Sequence, residues 1–397
     1  MPACASRRVP CSMKLLFFNY EYPPLGGGAA NANAYIFREY ARFPDLEIDF
    51  ITSSIDAEYH LETVGERVRI HRLPIGKSGK NLHYQSQKEL LVYAWKAYRF
   101  ASQLARKNKY DLSHSFFTVP CGVVSWIMKV KYKIPYIVSL RGSDVPGYSE
   151  RFTLIYKILT PIITFVWRKS AAVISNSQGL KELALKSAPK QNIGIIYNGI
   201  DMSEFAFAER PVTSDKFTVL CVSRITPRKG IRYLIEAVAQ VANKYPFVKL
   251  QLIGEGDEKE ELERMTNDKL KISNVEFLGR IEHNKLPTYY QNADVFVLPS
   301  LNEGMSNTML EALASGLPLV STNTGGAEEL VAEGKNGFLV KMKDADDIAT
   351  KLETLIQNSE LKQSMAKESR AKAESLSWEK IAKQYFAQYQ DVLKKKA

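Results

Sequence analysis

Residues 294–323 read DVFVLPSLNEGMSNTMLEALASGLPLVSTN. An apolar run leads through a polar loop into a stretch with apolar residues at helical spacing, and a second apolar run follows. Runs that are apolar at consecutive positions suit strands buried on both faces, as in a parallel sheet. The segment therefore predicts a strand–helix–strand unit with its helix beginning near Ser306 or Asn307. Gly304, Met305, Ser306, Asn307 and Thr308 would then offer backbone N–H groups that the helix itself leaves unpaired, a natural anion site. Glu303 precedes that site and Glu311 lies one to two turns inside the helix. A carboxylate cannot bond phosphate, but it accepts hydrogen bonds from hydroxyls. By spacing alone, an exposed helix charge is the lesser of the two readings of Glu311.

The same alternation runs outward in both directions. MKLLFFNY, LEIDFITS, VRIHRLP, DLSHSFF, PYIVSLRG, AAVISNS and IGIIYNG read as strands. After residue 216 come FTVLCVSR, VKLQLIGEG, VEFLGR, DVFVLPS, LPLVSTN and GFLVKM. Stretches such as GIRYLIEAVAQVANKY stand between them at helical spacing, so the chain reads as α/β with parallel sheets and crossover helices. FAFAERPVTSDK, 205–216, has neither period and reads as a linker between two Rossmann-like domains, 13–205 and 206–377. At 397 residues, two domains suit the length.

Charge is unevenly placed. Residues 1–205 hold 27 Lys+Arg against 16 Asp+Glu, and residues 206–397 hold 27 of each, so the first half carries the whole net charge of +11. That half is expected to face something anionic, such as a phospholipid leaflet or a lipid-phosphate acceptor, unless the charge serves solubility. No helix-turn-helix, zinc-finger or RNP-like pattern supports nucleic acid as a partner. Cys4, Cys11, Cys121 and Cys221 form no CxxC, which suits a reducing compartment. MPACASRRVPCS lacks the apolar run of a signal peptide, and the abrupt KLLFFNY suggests Met13 as the natural start, with 1–12 a flexible tail. The longest apolar segment, FTLIYKILTPIITFVW (152–167), is too short to span a bilayer. It reads as a buried helix, or as one lying on a membrane surface, flanked as it is by Arg151, Arg168 and Lys169.

Several turns look chemical. Gly26, Gly27 and Gly28 follow the first strand and open a helix, where glycine lets backbone N–H groups approach an anion. Asn31 stands where a dinucleotide fingerprint would have its third glycine, and a plain tight turn also explains the loop. Arg224 leaves a strand end and Lys229 follows at the mouth of a helix. Two cations beyond the carboxyl end of a strand suit a diphosphate, whereas Arg228 is expected to face solvent. Gly254 follows the next strand. A diphosphate site with carboxylates on either side describes a nucleotide-sugar, one glutamate for the sugar and one for the ribose. The only DxD-like string, Asp344-Ala345-Asp346, opens a helical pattern, where acids suit the N-terminus; no metal site is expected.

Together, the glycine loop, IIYNGID (195–201), VSRITPRKG (222–230), IGEGDE, FLGRIEHNKLPTYY and EGMSNTMLEALASGLPLVSTNTGG resemble, in order and at matching intervals, the retaining GT-B glycosyltransferases of family GT4 (glycosyl transferases group 1). The resemblance implies two Rossmann-like domains facing a central cleft, an N-terminal acceptor domain and a C-terminal donor domain, with the last helix, 378–397, crossing back to the first. It implies that Gly27 and Gly28 approach the donor diphosphate and the acceptor. Arg224 and Lys229 would bind the diphosphate, Glu303 the donor hexose, and Gly304 to Asn307 sugar and phosphate through their backbone. Glu311 would bind the ribose, and Arg280 would lie beside the base. One departure stands out. Where many relatives carry a histidine, this chain has Arg141-Gly142-Ser143-Asp144. Arginine cannot act as a base, so Arg141 would bind an acceptor phosphate or pair with Asp144. His114 would substitute for the missing histidine or be structural.

The activity implied is metal-independent hexosyl transfer with retention. The donor is a UDP-, GDP- or ADP-linked sugar and no cofactor is required. The acceptor is lipid-linked or an oligosaccharide, as in envelope polysaccharide or glycolipid synthesis, in the cytoplasm or peripherally on the inner face of the membrane. A non-catalytic nucleotide-sugar-binding subunit and a nucleotide-sugar 2-epimerase are the alternatives.

Overall fold

The computed structural model describes residues 12–77, 82, 85–148, 153–207, 216–302 and 305–396. The chain divides into two compact units. Met1–Asn176, Leu180–Tyr197 and Trp378–Ala397 form the first, and Ser177–Gly179 with Asn198–Ser377 the second. Of the expected N-terminal tail only residue 12 is described, and most of the expected linker, 208–215, lies outside the described residues.

From the N-terminus run β1 (Met13–Phe18), α1 (Gly28–Tyr40), β2 (Leu46–Ser53), β3 (His60–Val64), β4 (Val68–Leu73), α2 (Gln87–Lys107) and β5 (Leu112–Phe116). Next are α3 (Val123–Tyr132), β6 (Tyr136–Ser139), α4 (Thr153–Lys169), β7 (Ala172–Ser175), α5 (Gln178–Ser187) and β8 (Ile193–Ile195). They build an eight-stranded sheet in the order β3-β4-β2-β1-β5-β6-β7-β8. Every pairing is parallel except β3 with β4. β1 is buried except at Lys14 and β5 along its whole length, which is why they read as mainly apolar or small-residue runs. α2 opens on a capping box in which Ser86 Oγ accepts from Glu89 N and the Glu89 carboxylate accepts from Ser86 N at 2.7 Å.

The second unit contains β9 (Phe217–Val222), α6 (Ile231–Lys244), β10 (Val248–Ile253), α7 (Lys259–Arg264), β11 (Val275–Phe277), α8 (Leu286–Asn292) and β12 (Val295–Leu298). α9 (Asn307–Ala314), β13 (Leu319–Thr322), α10 (Ala327–Leu330), β14 (Gly337–Val340), α11 (Ala345–Gln357) and α12 (Ser359–Ser375) complete it. Its six strands lie parallel in the order β11-β10-β9-β12-β13-β14. α6 buries Ile231, Leu234, Ile235, Val238 and Val241, the spacing that gave it away in the sequence.

The final helix, α13 (Trp378–Lys396), belongs to the first unit. Trp378, Ile381, Tyr385 and Tyr389 join the core built on β1, β2 and β5. Two buried tyrosines tie α13 down. Tyr389 Oη lies 2.8 Å from His114 Nδ1 and 3.0 Å from Tyr40 Oη, and Tyr385 Oη receives Arg141 Nη2 at 3.1 Å.

Every run read from the sequence as a strand contains one. Among the described residues β3 alone was missed. It is a short edge strand, mostly exposed, and HLETV has no apolar face to announce it. The apolar segment 152–167 needs a second correction. α4 is not buried all round: Ile163, Val166 and Trp167 are buried while Ile158 and Ile162 are exposed.

Replacing Tyr389 by Phe leaves a buried imidazole and a buried phenol without their shared partner. We expect a stability loss of about 1–3 kcal/mol in urea unfolding. An unchanged midpoint would mean that the Tyr389 hydroxyl does not help to hold α13.

Candidate functional site

In the second sheet, the chain runs from β9 outward to β10 and β11, then returns to the other side of β9 for β12, β13 and β14. The switch point therefore lies between β9 and β12, where ligands of open α/β sheets bind beyond the strands' carboxyl ends. Arg224 to Gly230 follow β9, and Pro299 to Ser306 follow β12. These two loops touch: Leu301 N donates to Arg228 O at 2.8 Å. Gly230, with φ +61°, sits so close to Pro299 that an added Cβ would lie 2.3 Å from its carbonyl oxygen. The loop after β10 closes in from the other side. Ile225 N donates to Glu255 O at 2.9 Å, and a Cβ at Gly254 would meet Ser223 O at 1.9 Å.

Lys229 ends a single 3-10 turn, Pro227–Lys229, and is buried within this junction. Arg224 is exposed. Arg228 is half-buried, against the expectation that it faces solvent. Ser306 caps α9, its Oγ accepting from Met309 N at 3.4 Å, which agrees with the expected helix start. Asn198, within the NGID motif, ties down that start: its Nδ2 donates to Asn307 Oδ1 at 3.3 Å and its N–H points to Met305 Sδ at 3.1 Å. Thr308 Oγ1 lies 3.0 Å from Ser306 Oγ. Glu303 and Gly304 lie outside the described residues. Arg280 is exposed after β11.

Glu311 is buried, so it is no ordinary exposed helix charge. Its Oε2 accepts from Tyr290 Oη at 2.7 Å, and its Oε1 lies 3.2 Å from His283 Nε2. Each oxygen keeps acceptor capacity for a ligand hydroxyl. Glu204 stands 3.9 Å from the other side of the half-exposed imidazole. The hydrogen bond to Glu311 raises the His283 pKa, with desolvation opposing it. The sequence reading missed His283 and Tyr290 as partners, although both lie in the FLGRIEHNKLPTYY motif. Their distance from Glu311 along the chain hid the contact.

The first sheet also has a switch point, between β1 and β5. The glycine loop follows β1. Gly27 is the residue before α1 and Gly28 its first, and both are exposed. Beneath the loop lies Glu21, missed in the sequence. Burial pushes its carboxyl up to about 7, against the pull of a hydrogen bond from Gly27 N–H. After β5, Phe117 takes φ 68°, a strained conformation for a bulky residue, and its ring stacks on Tyr20 at 4.8 Å.

Arg141 does not pair with Asp144 through hydrogen bonds from its guanidinium. The Asp144 carboxylate instead accepts backbone N–H groups of Arg141, Gly142 and Thr118 at 2.8–3.1 Å. The guanidinium lies over the Phe116 ring, 3.4 Å from its centroid, and donates to Tyr385. His114 is wholly buried on β5, between Tyr389 and Ser139 Oγ at 2.7 Å. Burial and the Arg141 charge hold its pKa well below the ordinary value. These surroundings are those of a neutral structural histidine and correct the reading of His114 as a stand-in for a sugar-contacting residue. Asp344 caps α11, accepting from Asp347 N at 2.9 Å. Among the described residues, no group of three His, Cys, Asp or Glu side chains is arranged to hold a metal ion.

His283 supplies a pH test. Its folded pKa is raised, so its contribution is complete below the unfolded value of 6.5 and is lost as pH rises through the folded value. Unfolding midpoints should fall over that interval, and His283→Gln should remove this component of the slope. An identical slope in the variant would show that the pair does not form.

Known proteins bear on the family to which the chain belongs. The Glycosyltransferase Family 4 model matches residues 26–204, and the Glycosyl transferases group 1 model matches residues 202–372. An uncharacterized glycosyltransferase of Methanocaldococcus jannaschii is 27% identical over 370 residues, covering 93% of this chain and 95% of its own. Alpha-monoglucosyldiacylglycerol synthase of Acholeplasma laidlawii is 26% identical, over 73% of this chain and 77% of its own. Sucrose-phosphate synthase from Thermosynechococcus elongatus shares the fold with a TM-score of 0.80 at 23% identity, covering 96% of this chain and 99% of that one. The chain is a GT-B glycosyltransferase and belongs to family 4, the glycosyl transferases group 1.

Proposed function

We propose that the protein transfers a hexose-type sugar from a nucleotide-diphosphate sugar, with retention at the anomeric carbon, to a lipid-linked or glycan acceptor in envelope polysaccharide or glycolipid synthesis. The second unit holds the donor and the first the acceptor. The observation that carries this reading is the switch point between β9 and β12. There a buried lysine and a capped helix start, with a buried carboxylate behind it, come from two loops that bond to one another.

In this reading Lys229 and Arg224 take the charge that develops on the leaving diphosphate, and the α9 N-terminus adds its N–H groups. Glu311, oriented by Tyr290 and His283, accepts the ribose hydroxyls, and Glu303 accepts from the donor hexose. Attack occurs on the face that the diphosphate leaves, so the protein supplies positioning and charge stabilisation rather than a nucleophile. The diphosphate charge is met by protein cations, so transfer is expected to persist in EDTA. Gly27 and Gly28 approach donor and acceptor, and the basic first unit favours an anionic, membrane-borne acceptor on the cytoplasmic face. The name of the Acholeplasma relative, which ends in a diacylglycerol product, supports a lipid acceptor.

A thermal-shift panel of UDP, GDP, ADP and their sugar conjugates tests the donor site. One base should stabilise the protein, by about 2.7 kcal/mol at a hundredfold excess over Kd, and Arg224→Ala should abolish the shift. With donor and acceptor in hand, Lys229→Ala should lower kcat/KM by about 2–4 kcal/mol in barrier terms. Near-normal turnover would refute the role of Lys229, and an inverted product would refute retention.

A further inference from the structure

α3 lies between α2 and α4 in the first unit. Lys131 Nζ meets Tyr98 Oη of α2 at 3.0 Å, and Trp126 packs edge-on against Phe165 of α4 at 5.2 Å. These three helices carry ten Lys and Arg against a single acid, Glu89. They also expose their apolar residues. Eight large hydrophobic side chains are exposed among the described residues, and five of them are Leu91 and Trp95 on α2, Val130 on α3, and Ile158 and Ile162 on α4. Ile158 is 73% exposed, Ile162 44% and Val130 56%. On α4, Lys157 and Ile158, then Ile162, Phe165 and finally Arg168 and Lys169 recur at helical spacing along the outward face, an apolar stripe with cations at both ends. Between α3 and α4 a groove is floored by Trp126, Phe165 and Pro135 and rimmed by Lys129, Lys133 and Lys169.

We infer that the α3–α4 face, flanked by α2, docks on an anionic phospholipid bilayer, with Ile158, Ile162 and Val130 entering the headgroup boundary and the surrounding lysines and arginines meeting lipid phosphates. Charge complementarity argues for this occupant. Clustered cations next to a membrane attract an anionic leaflet, each contributing a further increment. The aliphatic tips argue against nucleic acid, whose backbone offers Ile158 and Ile162 nothing to bury. Aromatic rings beside the cations suit an interface that is apolar on one side and wet on the other. Among the described residues no helix is long and apolar enough to cross a membrane, so docking would be lateral. The inference rests on the lipid-acceptor reading for its purpose, but not for its evidence.

The test is co-sedimentation of the full chain with vesicles of phosphatidylglycerol and phosphatidylcholine, and with phosphatidylcholine alone. Binding is expected to the first and not the second, weakening with salt. Trp167 and Trp378 are buried, so a blue shift on binding would report Trp95 and Trp126. Lys157→Gln with Arg168→Gln and Lys169→Gln should weaken binding on the order of a hundredfold. Ile158→Gln with Ile162→Gln should weaken it about tenfold or more while keeping the salt dependence. All five side chains are exposed, and unchanged nucleotide thermal shifts in lipid-free buffer would show intact folding. Equal binding by both variants and the parent would overturn the inference, as would indifference to the anionic lipid. Self-association in lipid-free buffer that the isoleucine variant abolishes would also overturn it, assigning the face to a second copy. Vesicle binding without any nucleotide shift would instead overturn the donor-site reading and leave the docking face standing.

Discussion

The carbonyl of Pro299 and the α-carbon of Gly230 stand closer than any side chain would allow. That contact joins the loop leaving β9 to the loop leaving β12, the two loops on either side of the second sheet's switch point. It follows from topology. A chain that winds outward from β9 in one direction and then in the other must leave a crevice between the first strand and the one that begins the return. Two neighbouring parallel strands whose connections diverge have nothing above them, so their loops can fold inward over the same spot. Gly230 lets them do so without a gap, and its positive φ turns the chain from the 3-10 segment into α6. Lys229, one residue earlier, is thereby drawn into the junction. A cation buried in this way has lost most of its rotamer freedom before any ligand arrives, which is the condition for strong charge stabilisation.

The first unit solves a related problem by different means. Behind its switch point polar side chains, His114 and Arg141, are buried among the aromatic rings of Phe17 and Phe116, and they need partners. α13 supplies them. Tyr389 serves His114 and Tyr40, and Tyr385 serves Arg141, so the last twenty residues complete a network begun more than two hundred residues earlier. The guanidinium of Arg141 lies over the Phe116 ring face and donates to the Tyr385 phenol. Asp144 is left to organise backbone amides.

The sheet architecture was legible in the sequence because strands buried on both faces are mainly apolar, and alternation with helical periods then dictates crossovers. β3 was not legible, because an exposed edge strand needs no apolar residues. The start of α9 was legible, since Ser306 is a strong cap and a cap acts locally. The surroundings of Glu311 were not. His283 and Tyr290 approach it from another loop and helix, and no local rule encodes a contact across that distance. His114 shows the same limit from the opposite side. Its strand marked it as near a site, but only the return of α13 shows that both ring nitrogens are occupied. α4 misled for a different reason. Its two faces both carry large apolar residues, Ile163, Val166 and Trp167 on one and Ile158 and Ile162 on the other, and the sequence does not say which of them finds a partner.

The separation of charge between the halves of the chain has a physical logic. A nucleotide-sugar carries few charges and is recognised by hydroxyls and a diphosphate, so its site needs one or two placed cations and carboxylates to discriminate. A strongly basic surround would bind polyanions of any kind and weaken that discrimination. Residues 206–397 balance their charges, and in the proposed site the cations beside the β9–β12 crevice would act locally. A bilayer, the partner proposed for the first unit, is the opposite case: extended, repetitive and without stereochemistry. It is met best by many dispersed cations and a few apolar anchors, as α2, α3 and α4 provide. Adsorption to a leaflet would confine the protein near the plane where a lipid-linked acceptor diffuses, raising the effective concentration of that acceptor without any contact to its sugar. Selectivity for the donor and residence at the surface would then be adjusted by separate residues, so that neither need compromise the other.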